Sequence, residues 1–435
     1  MRTKSVRGPL TLRGVTFLLV GIAGAVVPIV QAGTGGLVRV AILALSLPLV
    51  CAVVVHLTEN NIRCRRSIEP TRVQVGEETR VTLQLENTSG LRSGRLLAHD
   101  VLPRRISVAQ PRFVIERLDG HATREIRYVL RPAVRGRYQV GPLTVRVGDP
   151  FGMSEIARAF PAVETLIVIP VVEHLPQVLL GGEWTGGDDS SPSAIRTAGE
   201  DDIGIREYHR GDPLHRINWR ATARRGELMV RQEEQPRQSR ATLLLDARWS
   251  AHRGEGATSS LEWAVSAVAS LAIHLHRRGF SLRVLTETGD PLVGTAADLL
   301  APVPDVEGLL LDGLAELESS RVPSLRDASL ALGRAGSDSL MIAVLGTMSE
   351  QDASDLARRR QGTSTAVAIV QRAWTWAGPG SEPAAEREYT RSVALLRDAG
   401  WRVVQVRAGD RLADLWPLAA RGAAGTGIPL VEAGA

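Results

Sequence analysis

The stretch TLLLDARWS, Thr242 to Ser250, decides the reading of the C-terminal half of this chain. Three leucines run without interruption into an acid, Asp246, and a charged residue and a hydroxyl follow. A short unbroken apolar run of this kind suits a strand buried on both faces, as parallel sheets require. The pattern returns in FSLRVLTE (Phe280 to Glu287), LMIAVLG (Leu340 to Gly346), TAVAIV (Thr365 to Val370) and WRVVQVRA (Trp401 to Ala408). Helical patterns separate these runs. The clearest spans Ser259 to Arg277, where Leu261, Val265, Val268, Leu271, Ala272 and Leu275 form one face. His274 and His276 flank that stripe and suit solvated or capping roles. Alternating β and α elements imply a doubly wound α/β domain, whose ligands bind beyond the C-terminal strand ends. Asp246 stands at such an end.

Upstream the periodicity changes. RVQVGEETRVTLQLEN (Arg72 to Asn87) alternates on either side of a Gly-Glu-Glu turn and predicts a half-exposed antiparallel hairpin. REIRYVLRP (Arg124 to Pro132) and LTVRVGDPF (Leu143 to Phe151) alternate likewise, and TLIVIP (Thr165 to Pro170) is an apolar strand. We expect a small β-sandwich of immunoglobulin type over residues 67–180. Residues 181–202 are rich in Gly, Ser and Asp and read as a mobile linker. The α/β domain then takes 203–435.

Further upstream the chain becomes membrane-like. Val15 to Ala32 and Leu37 to Leu57 are two apolar runs separated by GTGG, each near the ~20 residues that cross a bilayer. Pro28 and Pro48 are tolerated in such helices. A two-helix transmembrane hairpin over residues 15–57 is expected, within a segment 1–66. Arg2, Lys4, Arg7 and Arg13 precede the first span and Arg63, Arg65 and Arg66 follow the second, while Arg39 alone lies on the turn side. That asymmetry places both flanks in the cytoplasm, so the expected location is the cell membrane, multi-pass, with the soluble domains cytoplasmic.

The 435 residues carry a net charge of +5, but residues 1–66 hold eight basic side chains and one acid, leaving −2 on the rest. The basic excess thus belongs to the membrane end, and no nucleic-acid partner is expected. Two cysteines, Cys51 and Cys64, exclude a disulfide framework or a four-thiolate zinc site. Phosphate-binding, dinucleotide and zinc-helix motifs do not occur in the sequence. His209 and His215 flank Asp212 without a nucleophile beside them, which argues against a hydrolytic triad.

The most distinctive stretch is GEDDIGIREYHRGDPLHRINWRATARRGELMVRQEE, Gly199 to Glu234. Through Arg206, Tyr208, Gly211, Asp212, Arg216, Ile217, Asn218, Trp219, Ala223, Arg224 and Leu228 it resembles the signature of the domain of unknown function 58 family. These are bacterial membrane proteins with a von Willebrand factor A-like fold. RGRYQVGPLTVRVGDPFGM, Arg135 to Met153, adds the RGxYxxGP and DPFG elements typical of that family. The resemblance implies a partner, a MoxR-type AAA+ ATPase, acting with this chain in chaperone-like assembly. It also makes Arg206, Tyr208, Gly211, Asp212, Arg216, Asn218, Trp219 and Arg224 candidates for a partner-docking face.

The resemblance further invites comparison at the metal loop of A domains, which reads Asp, any residue, Ser, any residue, Ser. Asp246 and Ser250 match, but Arg248 stands at the middle position, where its own charge can take the cation's place. GTMSEQD after the third strand offers Gly346 and Thr347 rather than an immediate acid, and Glu350 and Asp352 read as the first turn of the next helix. The expectation is a membrane-anchored adaptor, not an enzyme, with no resident cofactor. The alternative is a divalent-cation-dependent receptor or enzyme holding Mg²⁺ on Asp246, Ser250 and a third acid such as Asp352.

Overall fold

The computed structural model describes residues 10–30, 35–59, 62–90, 92–106, 109–149, 151–178, 204–208, 217–232, 240–293, 305–334, 340–359, 365–377 and 382–420. The expected linker, 181–202, lies outside these residues, as do Gly211, Asp212 and Arg216 of the signature. Two compact units form. The first comprises Met1–Val172, Glu255–Ala269 and Gly308–Glu318; the second comprises Glu173–Gly254, Ser270–Glu307 and Ser319–Ala435.

Two apolar helices open the first unit, α1 (Leu12–Val30) and α2 (Gly35–Glu59). Only small residues let two helices approach closely, and they sit at the contact. A side chain at Gly21 would overlap Leu45, and one at Gly24 would touch Ala41. Within α2, Val38–His56 has a mean hydropathy of 2.5 and is long enough to cross a membrane. The apolar run of α1, Leu12–Val26, is shorter. Large apolar side chains such as Ile42, Leu43, Leu49 and Val53 remain exposed on α2.

Ten strands follow: β1 (Ile62–Glu69), β2 (Arg72–Gln74), β3 (Thr79–Asn87), β4 (Arg95–Asp100), β5 (Arg112–Ile115), β6 (Thr123–Leu130), β7 (Gly136–Val140), β8 (Leu143–Gly148), β9 (Glu155–Phe160) and β10 (Glu164–Ile169). They make three sheets, ordered β1-β3-β6, β2-β10-β7 and β5-β4-β8-β9. Alternate residues of all three, among them Val81, Leu83, Leu96, Val145, Leu166 and Val168, fill one core. The expected hairpin over Arg72 to Asn87 does not form. β2 pairs in parallel with β10, whereas β3 pairs with β1 and β6. Between them the chain changes sheets, with Val75 bonded to Ile169 and Gly76 to Pro132.

Arg66, counted above with the basic membrane flank, is instead buried inside this unit. Its Nη1 donates to the carbonyls of Val140 and Ala162 at 2.7 Å each, and its Nη2 meets the carboxylate of Asp100. Tyr128 donates its hydroxyl to the other Asp100 oxygen at 2.5 Å. This cluster explains the second glycine of RGxYxxGP. Gly141 has φ +113°, and a Cβ there would lie 2.0 Å from Arg66 Nη1 and 2.9 Å from the Ala162 carbonyl oxygen. The arginine of the same motif, Arg135, is also buried; it donates to the carbonyls of Leu314 and Leu317 and pairs with Glu262.

The second unit begins with a two-stranded sheet, β11 (Gly204–Glu207) and β12 (Met229–Gln232), around α3 (Trp219–Arg225). β13 (Arg240–Leu245), β14 (Ser281–Leu285), β15 (Leu340–Leu345), β16 (Thr365–Gln371) and β17 (Arg402–Val406) form one sheet, parallel throughout, in the order β14-β13-β15-β16-β17. Along the chain these strands are separated by α4 (Ser260–Arg277), α5 (Val306–Glu316), α6 (Arg326–Arg334), α7 (Glu350–Arg359) and α8 (Glu382–Asp398), with a short α9 (Leu412–Leu415) at the end; α4 up to Ala269 and α5 from Gly308 belong to the first unit. Leu244, Ala343, Leu345, Ala368 and Val370 share a core with Leu332 of α6, Leu356 of α7 and Val393 of α8. Residues of opposite parity, Leu243, Ile342, Val344, Val367 and Ile369, are buried too, so both faces of the sheet are covered. The strand order reverses between β14 and β15, with β13 and β15 adjacent, and Asp246 follows β13 at that crevice.

Candidate functional site

Asp246 is fully buried at the end of β13, and its backbone N–H donates to Val344 on β15. The next residues leave the sheet in an extended stretch held by 319–323. Ser320 donates to Ala247, Trp249 donates to Ser320, and Arg248 bridges Ser320 in parallel. This fixes Arg248 so that its side chain turns back over the acid two residues before it.

The guanidinium has five N–H groups in a planar fork, and each finds an oxygen. Nε and Nη2 take the two oxygens of Asp246, both at 2.9 Å. Nη1 takes Asp352 Oδ2 at 2.9 Å and the carbonyl of Pro323 at 3.4 Å. The second Nη2 hydrogen faces the carbonyl of Thr347 at 3.3 Å. Arg248 is 2% exposed. Burial disfavours its charge, but the bonds and charges of Asp246 and Asp352 more than offset this and hold its pKa above the ordinary arginine value.

Asp352 reaches the site from the first turn of α7, where it belongs to a capping box. Its N–H donates to Ser349 Oγ at 3.1 Å, and its Oδ2 accepts the Ser349 hydroxyl at 3.0 Å. Its Oδ1 accepts the Leu325 N–H at 2.9 Å. One carboxylate thus caps α7, ties down the segment before α6 and pairs with Arg248. His252, also buried, places Nε2 2.6 Å from the Asp246 carbonyl oxygen. A carbonyl only accepts, so Nε2 carries the hydrogen. Burial lowers the His252 pKa against the upward pull of Asp246, which keeps the ring neutral at pH 7. Glu287, after β14, accepts the Ala247 N–H at 3.3 Å.

The oxygens that surround the guanidinium are of the kind a hard divalent cation would take. With every donor of Arg248 engaged among them, the residues present do not fit such a cation. Ser250, the other matching position of the metal loop, is exposed and lines the neighbouring groove. Among the described residues no three His, Cys, Asp or Glu side chains converge as metal ligands.

Beside the cluster lies a groove of about 760 Å³ lined by Trp249, Ser250, Ser319, Arg321, Val322 and Pro323. Trp249 is 71% exposed at its edge. Arg321 is exposed and has no acidic partner among the described residues.

The described signature residues take no part in this cluster's bonding. Arg206 lies on β11 opposite Val230. Tyr208 is half-buried and its N–H donates to Leu228; the Asn218 N–H donates to Met229. Trp219, at the start of α3, is 68% exposed, and Arg224 is exposed in its last turn. Sequence reasoning found Asp246 and Arg248 and missed the carbonyls of Pro323 and Thr347 and the roles of His252 and Ser349. Carbonyl ligands leave no mark in a sequence. Ser349 did leave one, because a serine three residues before an acid signals a helix start.

Comparison with known proteins gives one curated relative, "Uncharacterized protein YeaD" of Bacillus subtilis (strain 168), 26% identical over 231 residues. The match covers 50% of this chain and 54% of YeaD, so the chain spans about half the length of that relative. Solved structures include the CARDB domain of the PF1109 protein from Pyrococcus furiosus, at 11% identity, covering 25% of this chain and 89% of that one with a TM-score of 0.18. The cupredoxin domain of amoB from Nitrosocaldus yellowstonii gives 13% identity, 26% and 89% coverage and the same TM-score of 0.18. Likenesses at that score carry no argument about fold or function. The stretch from β11 through β14, residues 204–304, matches the family model described as "Protein of unknown function DUF58".

Proposed function

We propose that this chain is a membrane-anchored adaptor that binds another protein through a von Willebrand factor A-like domain and performs no chemistry of its own. The observation that carries the reading is Arg248. At the strand end where an A domain would hold a metal ion for its ligand, a side chain supplies the positive charge and uses all its donors internally. Asp246 and Asp352 are thereby committed to structure, which removes the two acids best placed to act on a substrate.

The surface around the cluster suits a protein partner. Trp249 offers a large exposed aromatic at the rim of the groove, the residue type that most often anchors protein interfaces. The exposed Arg321, without an acidic partner among the described residues, favours a partner segment with acidic side chains. The partner we propose is a MoxR-type AAA+ ATPase, which would supply the nucleotide chemistry missing here and act with this chain in chaperone-like assembly. Two spans, α1 and α2, anchor the chain as a hairpin in the cell membrane. The basic residues on their outer flanks direct both units to the cytoplasm.

The test is binding of such an ATPase to the full chain in lipid nanodiscs, read by co-sedimentation and by stimulated ATP hydrolysis. Binding that weakens about tenfold or more in Trp249→Ala, the loss of a strong hot spot, supports the reading. Absence of both binding and stimulation sinks it.

A further inference from the structure

The DPFG element, Asp149 to Gly152, lies in the first unit and takes no part in the Arg248 cluster. Asp149 folds this loop on itself: Oδ1 accepts the Phe151 N–H at 2.6 Å and Oδ2 accepts the Ser154 N–H. Gly152 turns the chain at φ +72°. The loop carbonyls are then used to hold the start of α1. Thr11 donates its N–H to Met153 at 2.9 Å and its hydroxyl to Gly152 at 2.6 Å, and Leu10 bridges Ser154. Gly14 lies flat on the same loop, since a Cβ there would sit 2.2 Å from the Met153 carbonyl oxygen.

Phe151 is left over. It is 60% exposed, although Asp149, Gly152 and Met153 around it are held by internal bonds. Its depth can be read from the helix it holds. The uncharged run of the sequence begins at Gly14 and continues to Val38. At 1.5 Å per residue, Thr11 and Gly14 lie about 5 Å apart along the axis, so the loop sits level with the edge of the apolar run. That is the depth at which aromatic rings settle at a membrane surface. Leu12 is 82% exposed at the same level, and Arg13 is exposed with no acidic partner among the described residues.

We infer that the DPFG loop is a lipid-docking element: Phe151 inserts at the headgroup–acyl boundary of the bilayer, and Arg13 pairs with the phosphate of an anionic phospholipid beside it. The inference rests on the membrane anchorage proposed above. It adds that the β-rich unit is seated on the bilayer surface through this loop, at a second point besides the helices.

The test uses the full chain with Cys51→Ala and Cys64→Ser, reconstituted in vesicles of phosphatidylcholine with phosphatidylglycerol. Nitroxide labels at Phe151→Cys, Leu43→Cys and Val114→Cys are compared for collision with oxygen and with a water-soluble nickel chelate. Leu43 reports on α2, and Val114 is an exposed residue of β5, two strands across the sheet from β8, which leads into the loop. The expected result is an oxygen-to-nickel ratio at 151 severalfold above that at 114 and below that at 43. A water-like ratio at 43 overturns the anchorage itself. A lipid-like ratio at 43 with a water-like ratio at 151 overturns only the loop insertion. So does shielding of 151 from both reagents, because the ring would then be covered by protein.

Discussion

Arg248 holds the carboxylate of Asp246, its neighbour but one in the chain, through two parallel bonds of 2.9 Å, and both residues are buried. A bidentate fork between residues so close in sequence forms without ordering any distant segment. Asp352 then joins from 104 positions away through a further 2.9 Å bond. The three groups together carry one net negative charge, which neighbouring N–H donors such as Gly346 and Leu325 help to neutralise.

Arg248→Ser rebuilds the Asp-x-Ser-x-Ser spacing and leaves two buried acids without their counter-charge. Breaking a buried ion pair from one side costs about 3–5 kcal/mol. We expect the variant to unfold at a lower temperature without added metal and to recover part of the loss in millimolar Mg²⁺ or Mn²⁺, while the parent chain stays indifferent. Calorimetric titration with Mn²⁺ checks this. A variant that neither weakens nor binds would mean that the acids are not held apart by the arginine.

Asp352→Asn keeps the shape and, with its amide oxygen in the Oδ2 place, the bonds to Ser349, but it removes the charge facing Arg248 and the acceptor for the Leu325 N–H. Loss of a charge-assisted bond should cost about 1.5–3 kcal/mol. Ser349→Ala, which removes the α7 cap alone, should cost about 1 kcal/mol. Because Ser349 and Arg248 share one carboxylate, a double-mutant cycle between them should show coupling of about 0.5 kcal/mol or more. Strict additivity in urea titrations would show that the cap and the ion pair act independently.

The depressed pKa of buried His252 gives a pH dependence of definite sign. Above about pH 6.5 the ring is neutral in both folded and unfolded chains, and the stabilising hydrogen bond to Asp246 is present in full. As pH falls through that value the unfolded chain takes up a proton first, so stability is lost, by at most about 1.4 kcal/mol per pH unit for one group. His274, whose pKa burial also lowers, adds to the slope in the same direction. Unfolding free energies measured between about pH 7.5 and pH 5.5 should fall, and His252→Asn should flatten the curve. An unaltered slope in that variant would place the titration elsewhere.

In the first unit, Gly141→Ala should be among the least tolerated small substitutions. The backbone conformation alone costs about 1–3 kcal/mol for a residue with a side chain. The added methyl would also displace Arg66 from its two carbonyls and from Asp100. Thermal unfolding in detergent checks this, with Gly76→Ala as the control: it has φ +85° but open space around it, so only the backbone cost applies.

The second unit was largely legible because its strands are buried on both faces. Leu243 to Leu245 and Ala366 to Val370 present unbroken apolar runs that no half-exposed strand would show. Arg248 was legible for a different reason, its closeness in sequence to Asp246. Partnership over long range was not legible. Arg72 to Asn87 alternates as strands do, but alternation says which residues are buried and nothing about which strand lies alongside; β2 and β3 went to separate sheets. Arg66 looked like one more basic residue after a membrane run. Only the fold, by bringing Asp100, Val140 and Ala162 around it, makes it an interior residue.

A charge fastened to the backbone cannot be chelated away, diluted out or exchanged for calcium. The crevice beyond β13 therefore keeps one fixed electrostatic state whether free magnesium is scarce or plentiful, and nothing in its charge balance answers to ion supply.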